Sequence, residues 1–170
     1  MKLVIIRHGP AGDREEWEAA GRDDRLRPLT SKGRKDVRRA AAGLASLVPT
    51  LDLVVTSPLT RAVETADIVA AQYGCEIQLL ESLTPESEPD RLMPWLKDQL
   101  RSGTVAVVGH EPQLSTLGAY LLTGRATSFM DLKKGGACLL ELPDPPRPGD
   151  ATLKWLLTAD ALRCLDDQAR

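Results

Sequence analysis

Residues 3–9 read Leu-Val-Ile-Ile-Arg-His-Gly: four consecutive apolar side chains, three of them β-branched, running directly into a cation, an imidazole and a glycine. An apolar run without polar alternation marks a strand buried on both faces, the kind found inside a parallel sheet. Two further runs have the same character, Leu53 to Val55 and Val105 to Val108. Between them the apolar residues recur every three or four positions, at Val37, Ala40, Ala41, Leu44 and Leu47 and again at Leu59, Ala62, Val63, Ala66 and Val69. That period belongs to helices with one buried face. Strands alternating with helices define an α/β fold.

Outward from these runs the remaining elements follow. Ser57 is the expected N-cap of the second helix, with Pro58 at its first position, and Gly74 its stop. A third helix is expected from Pro89 to Leu100 with Leu92, Leu96 and Leu100 inward, and a fourth from Pro112 to Leu122, closed by Gly124. A strand is expected at Glu76 to Leu80. Beyond Gly136, Ala137 to Leu142 and Thr152 to Thr158 read as an edge hairpin whose connection, PDPPRPGD, cannot be helical. Ala11 to Arg27 is charged and aperiodic, which predicts a long irregular connection beside the first strand.

The 170 residues, 42% of them hydrophobic, suit one core and hence a single domain over residues 1–170. With 22 basic and 24 acidic residues the formal net charge is −2, so no whole-molecule field draws in nucleic acid or an anionic membrane, and an aromatic content of 4% also argues against nucleic acid. The opening MKLVIIRHG is too short an apolar run for a signal peptide, and no stretch reaches bilayer length, so a soluble cytoplasmic protein is expected. Cys75, Cys138 and Cys164 are too scattered for a disulfide framework or a zinc knuckle and are expected to be reduced, mostly buried thiols. With His8 and His110 the only imidazoles, neither a metal site nor a cofactor is expected. No long apolar stripe remains once the helices are packed, which favours a monomer.

Each of the three buried strands ends in a segment able to bind phosphate: Arg7-His8-Gly9, Ser57-Pro58-Leu59-Thr60-Arg61 and Gly109-His110-Glu111-Pro112. Ligands of open α/β sheets bind beyond the carboxyl ends of the strands, so these segments are expected to share one crevice. Neutral imidazole is a competent nucleophile near pH 7, which makes His8 the candidate catalyst. Arg7 ends an apolar strand, where a cation needs an anionic partner, and Gly9 allows a sharp exit and the close approach of a ligand. Arg61 sits near a helix N-terminus, unfavourable for a cation, yet its guanidinium fork suits phosphate. His110, also beside a helix start, can face an oxyanion. Any one of these residues alone has an ordinary structural explanation; two histidines at strand ends with cationic company do not.

These segments resemble the histidine phosphatase superfamily, also called phosphoglycerate mutase-like. Its hallmark is an Arg-His-Gly motif after the first strand, here Arg7, His8 and Gly9. RPLTSKGR at Arg27 to Arg34, TSPLTRAVETA at Thr56 to Ala66 and VVGHEP at Val107 to Pro112 are similar to the family's other motifs. The small size, SLTPE at Ser82 to Glu86 and LKKGGACLLEL after Asp131 look like SixA-type protein phosphohistidine phosphatases.

The resemblance implies a three-layer α/β/α sandwich whose central sheet is mostly parallel with an antiparallel edge strand. It also implies a two-step reaction: His8 attacks phosphorus in line, Arg7, Arg61 and His110 hold the phosphoryl oxygens, and water hydrolyses the phosphohistidine enzyme. The implied partner is a phosphorylated protein, a histidine phosphotransfer domain of a signalling relay. Larger members add a carboxylic acid for the leaving group. Glu81 is the candidate general acid here, an alignment on LTP puts Ser82 there instead, and Glu86 and Asp13 are alternatives. Two other readings stand beside this one: a phosphatase or mutase of small phosphomonoesters, and a non-catalytic phosphohistidine-binding regulatory domain.

Overall fold

A computed structural model of the chain describes residues 1–99 and 103–168. The three apolar runs become β1 (Lys2–Arg7), β2 (Leu53–Thr56) and β4 (Thr104–Gly109). The others are β3 (Glu76–Leu79), β5 (Ala137–Glu141) and β6 (Thr152–Leu157). Among the described residues these six form one sheet in the order β3-β2-β4-β1-β5-β6. The first four are mutually parallel, β5 is antiparallel to β1, and β6 is antiparallel to β5.

Register explains why the polar segments meet. Arg7 lies opposite Gly109, and Val108 lies opposite both Ile6 and Thr56. The strands β1, β4 and β2 therefore stop at one level, and the residues following each begin along a common line at the carboxyl edge.

Both faces of the sheet are covered, as the unalternating runs require. Val4, Ile6, Val54, Ala106 and Val108 pack on one side with Ala40 and Leu44 of α2 (Ser31–Leu47), Ala62, Ala66 and Val69 of α3 (Thr60–Tyr73), and Leu162 of α6 (Ala159–Gln168). Leu3, Ile5, Val55, Val105 and Val107 pack on the other with Leu96 of α4 (Met93–Asp98) and Leu114, Leu117 and Leu121 of α5 (Gln113–Thr123). The result is a three-layer α/β/α sandwich.

Glycines allow two tight approaches. A Cβ on Gly33 would lie 2.1 Å from the Pro10 carbonyl oxygen, and one on Gly43 would lie 1.8 Å from that of Leu162. The first brings α2 against the turn after β1; the second lets α2 cross α6 almost backbone to backbone.

Four expectations need correction. Ser57 and Pro58 do not open α3, which starts at Thr60 from Leu59 with no side-chain cap; the Ser57 hydroxyl accepts only a turn bond from the Leu59 amide (3.3 Å) and otherwise serves His110. Residues 11–27 are not irregular: they hold α1 (Arg14–Ala19), capped by Asp13, and a 3-10 turn over Asp24–Leu26. No residue of α1 is buried, so it leaves no apolar period to read. The third helix opens as a 3-10 turn over Pro89–Leu92 before α4; Leu92 and Leu96 are buried, and Leu100 lies outside the described residues. Finally, α6 follows β6, where no helix was expected.

Candidate active site

Arg7, His8, Arg61 and His110 line one cavity of about 860 Å³ at the carboxyl edge of the sheet. Backbone bonds join the turns that carry them. The His8 amide donates to the Gly109 carbonyl (3.0 Å), the Ser57 amide to that of Val108 (3.0 Å), and the Gly135 amide to the carbonyls of both Arg7 and His8 (3.1 Å each). Gly135, at φ +72°, takes a conformation that favours glycine. Thr65 on α3 joins two of the motifs, accepting from the Gly9 amide (3.1 Å) and donating to the Arg61 carbonyl (2.7 Å). Gly9 is small for a reason other than ligand access: its Cβ would meet Val37 of α2 at 2.4 Å.

The tautomer of His8 follows from its neighbour. Nδ1 lies 2.7 Å from the Gly9 carbonyl oxygen, which can only accept, so Nδ1 carries the proton and Nε2 keeps a free lone pair. Burial pushes the imidazole down to about 3 from 6.5; Arg61, Arg7 and Lys134 act in the same direction and the Gly9 bond opposes them. His110 stands with its ring centroid 5.0 Å away. Burial, then the proximity of His8 and Arg61, pushes it to about 3 as well. Both rings are neutral near pH 7. His110 Nε2 meets the Ser57 hydroxyl at 2.9 Å.

Arg7 Nη1 donates to the Leu132 carbonyl (2.9 Å). Arg61, only 5% exposed, donates from Nη1 to the Asp24 carbonyl (2.8 Å), and its Nη2 pairs with Asp24 Oδ2 (3.1 Å). Arg7 Nε, Arg61 Nε and His110 Nδ1 are buried with no hydrogen-bond partner among the described residues. Buried polar groups are almost always satisfied, and leaving one unpaired costs about 1–3 kcal/mol. The guanidinium groups of Arg7 and Arg61 on the wall of one cavity suit an oxyanion. Two cations beside an unprotonated imidazole suit phosphoryl transfer.

The candidate acids separate. Glu81 does not line the cavity; its side chain is 78% exposed, 4.0 Å from Arg25, on a neighbouring cleft that also holds Ser82. Asp13 and Glu86 do line it, together with Glu15 and Glu111. Sequence reasoning missed Asp24 and Thr65, each of which has one partner far along the chain, Arg61 and Gly9 respectively, and it met Arg27 only as the start of a motif.

The family model of the histidine phosphatase superfamily (branch 1) matches residues 3–85. An uncharacterised protein of Picosynechococcus sp. is 32% identical over 139 residues, 80% of this chain and 82% of the relative. The phosphohistidine phosphatase SixA of Escherichia coli is 26% identical over 162 residues, 93% of this chain and 94% of SixA. Among solved structures, the protein histidine phosphatase SixA complexed with tungstate superimposes with a TM-score of 0.81 at 24% identity, over 95% of this chain and 99% of that one. An α-ribazole phosphatase from Shigella flexneri does so with a TM-score of 0.74 at 19% identity, over 94% and 97%. Both likenesses establish the phosphoglycerate mutase-like fold. The chain belongs to the histidine phosphatase superfamily. Within that class of phosphatases it is SixA-like.

Proposed function

We propose that the protein is a phosphohistidine phosphatase acting on histidine phosphotransfer domains through a covalent intermediate on His8. The observation that carries this reading is the free Nε2 of His8, fixed by the Nδ1 bond to Gly9, in a cavity lined by Arg7, Arg61 and His110. In the first step the Nε2 lone pair forms a bond to phosphorus while the bond from phosphorus to the substrate imidazole breaks, the departing nitrogen keeping the electron pair and taking a proton from water; the hydroxide so formed takes up the proton released when water adds to phosphorus in the second step. Positive charge developing on the His8 ring strengthens its bond to the Gly9 carbonyl. In the second step water attacks phosphorus, the bond to Nε2 breaks, and orthophosphate leaves with His8 neutral again. Arg7, Arg61 and His110 hold the three non-bridging oxygens throughout.

Imidazole leaves far more readily than an alkoxide, so this substrate needs little help from an acid, in keeping with Glu81 lying off the cavity. The reading takes residues 1–170 as one domain, monomeric and cytoplasmic, working without metal or cofactor. Among the described residues no helix is long and apolar enough to cross a membrane. A second reading, hydrolysis of small phosphomonoesters, is favoured by the carboxylates that do line the cavity, of which Glu86 is better placed than Glu81 to protonate an alkoxide.

The test compares orthophosphate release from a phosphorylated histidine phosphotransfer domain with release from p-nitrophenyl phosphate, in chelator, for wild type and His8→Ala. Faster release from the domain, abolished in His8→Ala, is expected. Preference for the ester moves the assignment to the second reading, and substantial turnover by His8→Ala removes His8 as nucleophile.

A further inference from the structure

Residues 11–27 form a closed loop: Ala11 bridges Leu29, and the Gly12 amide reaches the Pro28 carbonyl (3.4 Å). The loop braces itself from within, through the Trp17 indole N–H donating to the Asp23 carbonyl (2.9 Å) and Arg22 lying over the Trp17 ring. Its 3-10 turn delivers Asp24 into the cavity. Every oxygen of Asp24 is used. Oδ2 takes Arg61 Nη2 (3.1 Å), Oδ1 takes Arg27 Nε (2.7 Å), and the carbonyl takes Arg61 Nη1 (2.8 Å) and the Arg27 amide (3.2 Å). Arg27 is fixed again by its Nη1 bond to the Gly12 carbonyl (2.6 Å).

Donor counting shows what this arrangement leaves. A guanidinium has five N–H groups; Arg61 donates one from Nη1 to the Asp24 carbonyl, and its Nη2 lies in an ion pair with Asp24 Oδ2. The buried Nε has no partner among the described residues. Two acceptors of one residue on the two terminal nitrogens fix the plane of the fork as well as its position, while leaving it able to grip an anion.

We propose that Asp24 is a positioning residue for phosphoryl transfer, holding the Arg61 fork in its phosphate-binding orientation and buttressed in turn by Arg27. The inference rests on the proposed role of Arg61 in holding the phosphoryl group. It makes the loop part of the machinery rather than a cover for it.

The test is a double-mutant cycle of Asp24→Ala with Arg61→Ala, read as kcat and KM for the phosphorylated phosphotransfer domain and as tungstate affinity by calorimetry. A misoriented binding group costs up to about a hundredfold, so Asp24→Ala should lower kcat by about that factor, mostly in kcat rather than KM. Asp24→Asn, which keeps the carbonyl bond and one side-chain oxygen, should recover about tenfold of it. In the Arg61→Ala background Asp24→Ala should cost almost nothing more. Equal losses in both backgrounds would show a structural role for the loop and overturn the inference while leaving the function intact. Tighter tungstate binding by Asp24→Asn would show that the carboxylate competes for Arg61, and would also overturn it. An Arg61→Ala variant as active as wild type would remove Arg61 from the reaction, and the role of Asp24 with it. Thermal melts of each variant separate these outcomes from misfolding.

Discussion

The pair His8 and His110 illustrates how position alone sets chemical state. Each ring is almost fully buried, with Arg61 adding to the cost of charging it. A protonated His8 would have no lone pair to offer phosphorus, so the environment that opposes protonation favours the nucleophilic role proposed for it. The expected outcome of a ¹⁵N NMR titration is that neither ring protonates between about pH 7 and 5, and that the proton on His8 resides on Nδ1; a titration midpoint near 6.5 for either ring would contradict the geometry. His110 has a related arrangement. The Ser57 hydroxyl, which accepts from the Leu59 amide, is free to donate to His110 Nε2, leaving Nδ1 as the ring's own donor.

Among the elements, the contact between α2 and α6 is the tightest backbone approach at any glycine. Replacing Gly43 with Ala puts a methyl group into the Leu162 carbonyl, and the helices must separate. We expect a loss of about 1–3 kcal/mol, the usual cost of overpacking, measured as a lower urea midpoint with kcat nearly unchanged. This contact also marks the limit of sequence reading. Buried strands such as β1 and β4 declare themselves by composition, α2 and α3 by period, and the ends of α3 and α5 by the glycines that stop them. The first helix does not, because it buries nothing, and the last offers only a short apolar period, Leu162 and Leu165, against the core. The site divides the same way. Arg7, His8, Arg61 and His110, which the fold brings to one cavity, each stand at or soon after the end of a readable strand. Asp24 was not legible, because its worth depends on an arginine 37 residues away whose approach no local pattern encodes. Pro58 gives Ser57 the look of a helix cap, whereas the nearby imidazole of His110 engages its hydroxyl.

For the molecule as a whole, the buried imidazoles couple folding to pH. Folded His8 and His110 bind protons only near pH 3, whereas in the unfolded chain they do so near 6.5. Between these values the unfolded state binds more protons. Stability is therefore full above about 6.5 and falls as the pH is lowered toward 3. Asp24 acts in the same sense lower down: burial pushes its carboxyl up, but Arg27 and Arg61 outweigh this and hold it below the usual range, so its contribution disappears on acidification through that range. Urea midpoints should drop between about pH 7 and 5, and drop less when both histidines are replaced by Gln; a flat profile for the wild type would contradict the burial argument. Sheet order has a consequence of another kind. The strand β4, at residues 104–109, lies between β1 and β2, both of which precede it in the chain. On the ribosome β1 and β2 therefore emerge as strands that cannot pair with each other in the native arrangement, and wait with exposed apolar edges until β4 arrives between them. A nascent chain halted before that point carries Arg7, His8 and Arg61 but no pocket, so the enzyme cannot become active while it is still the kind of chain a chaperone would hold.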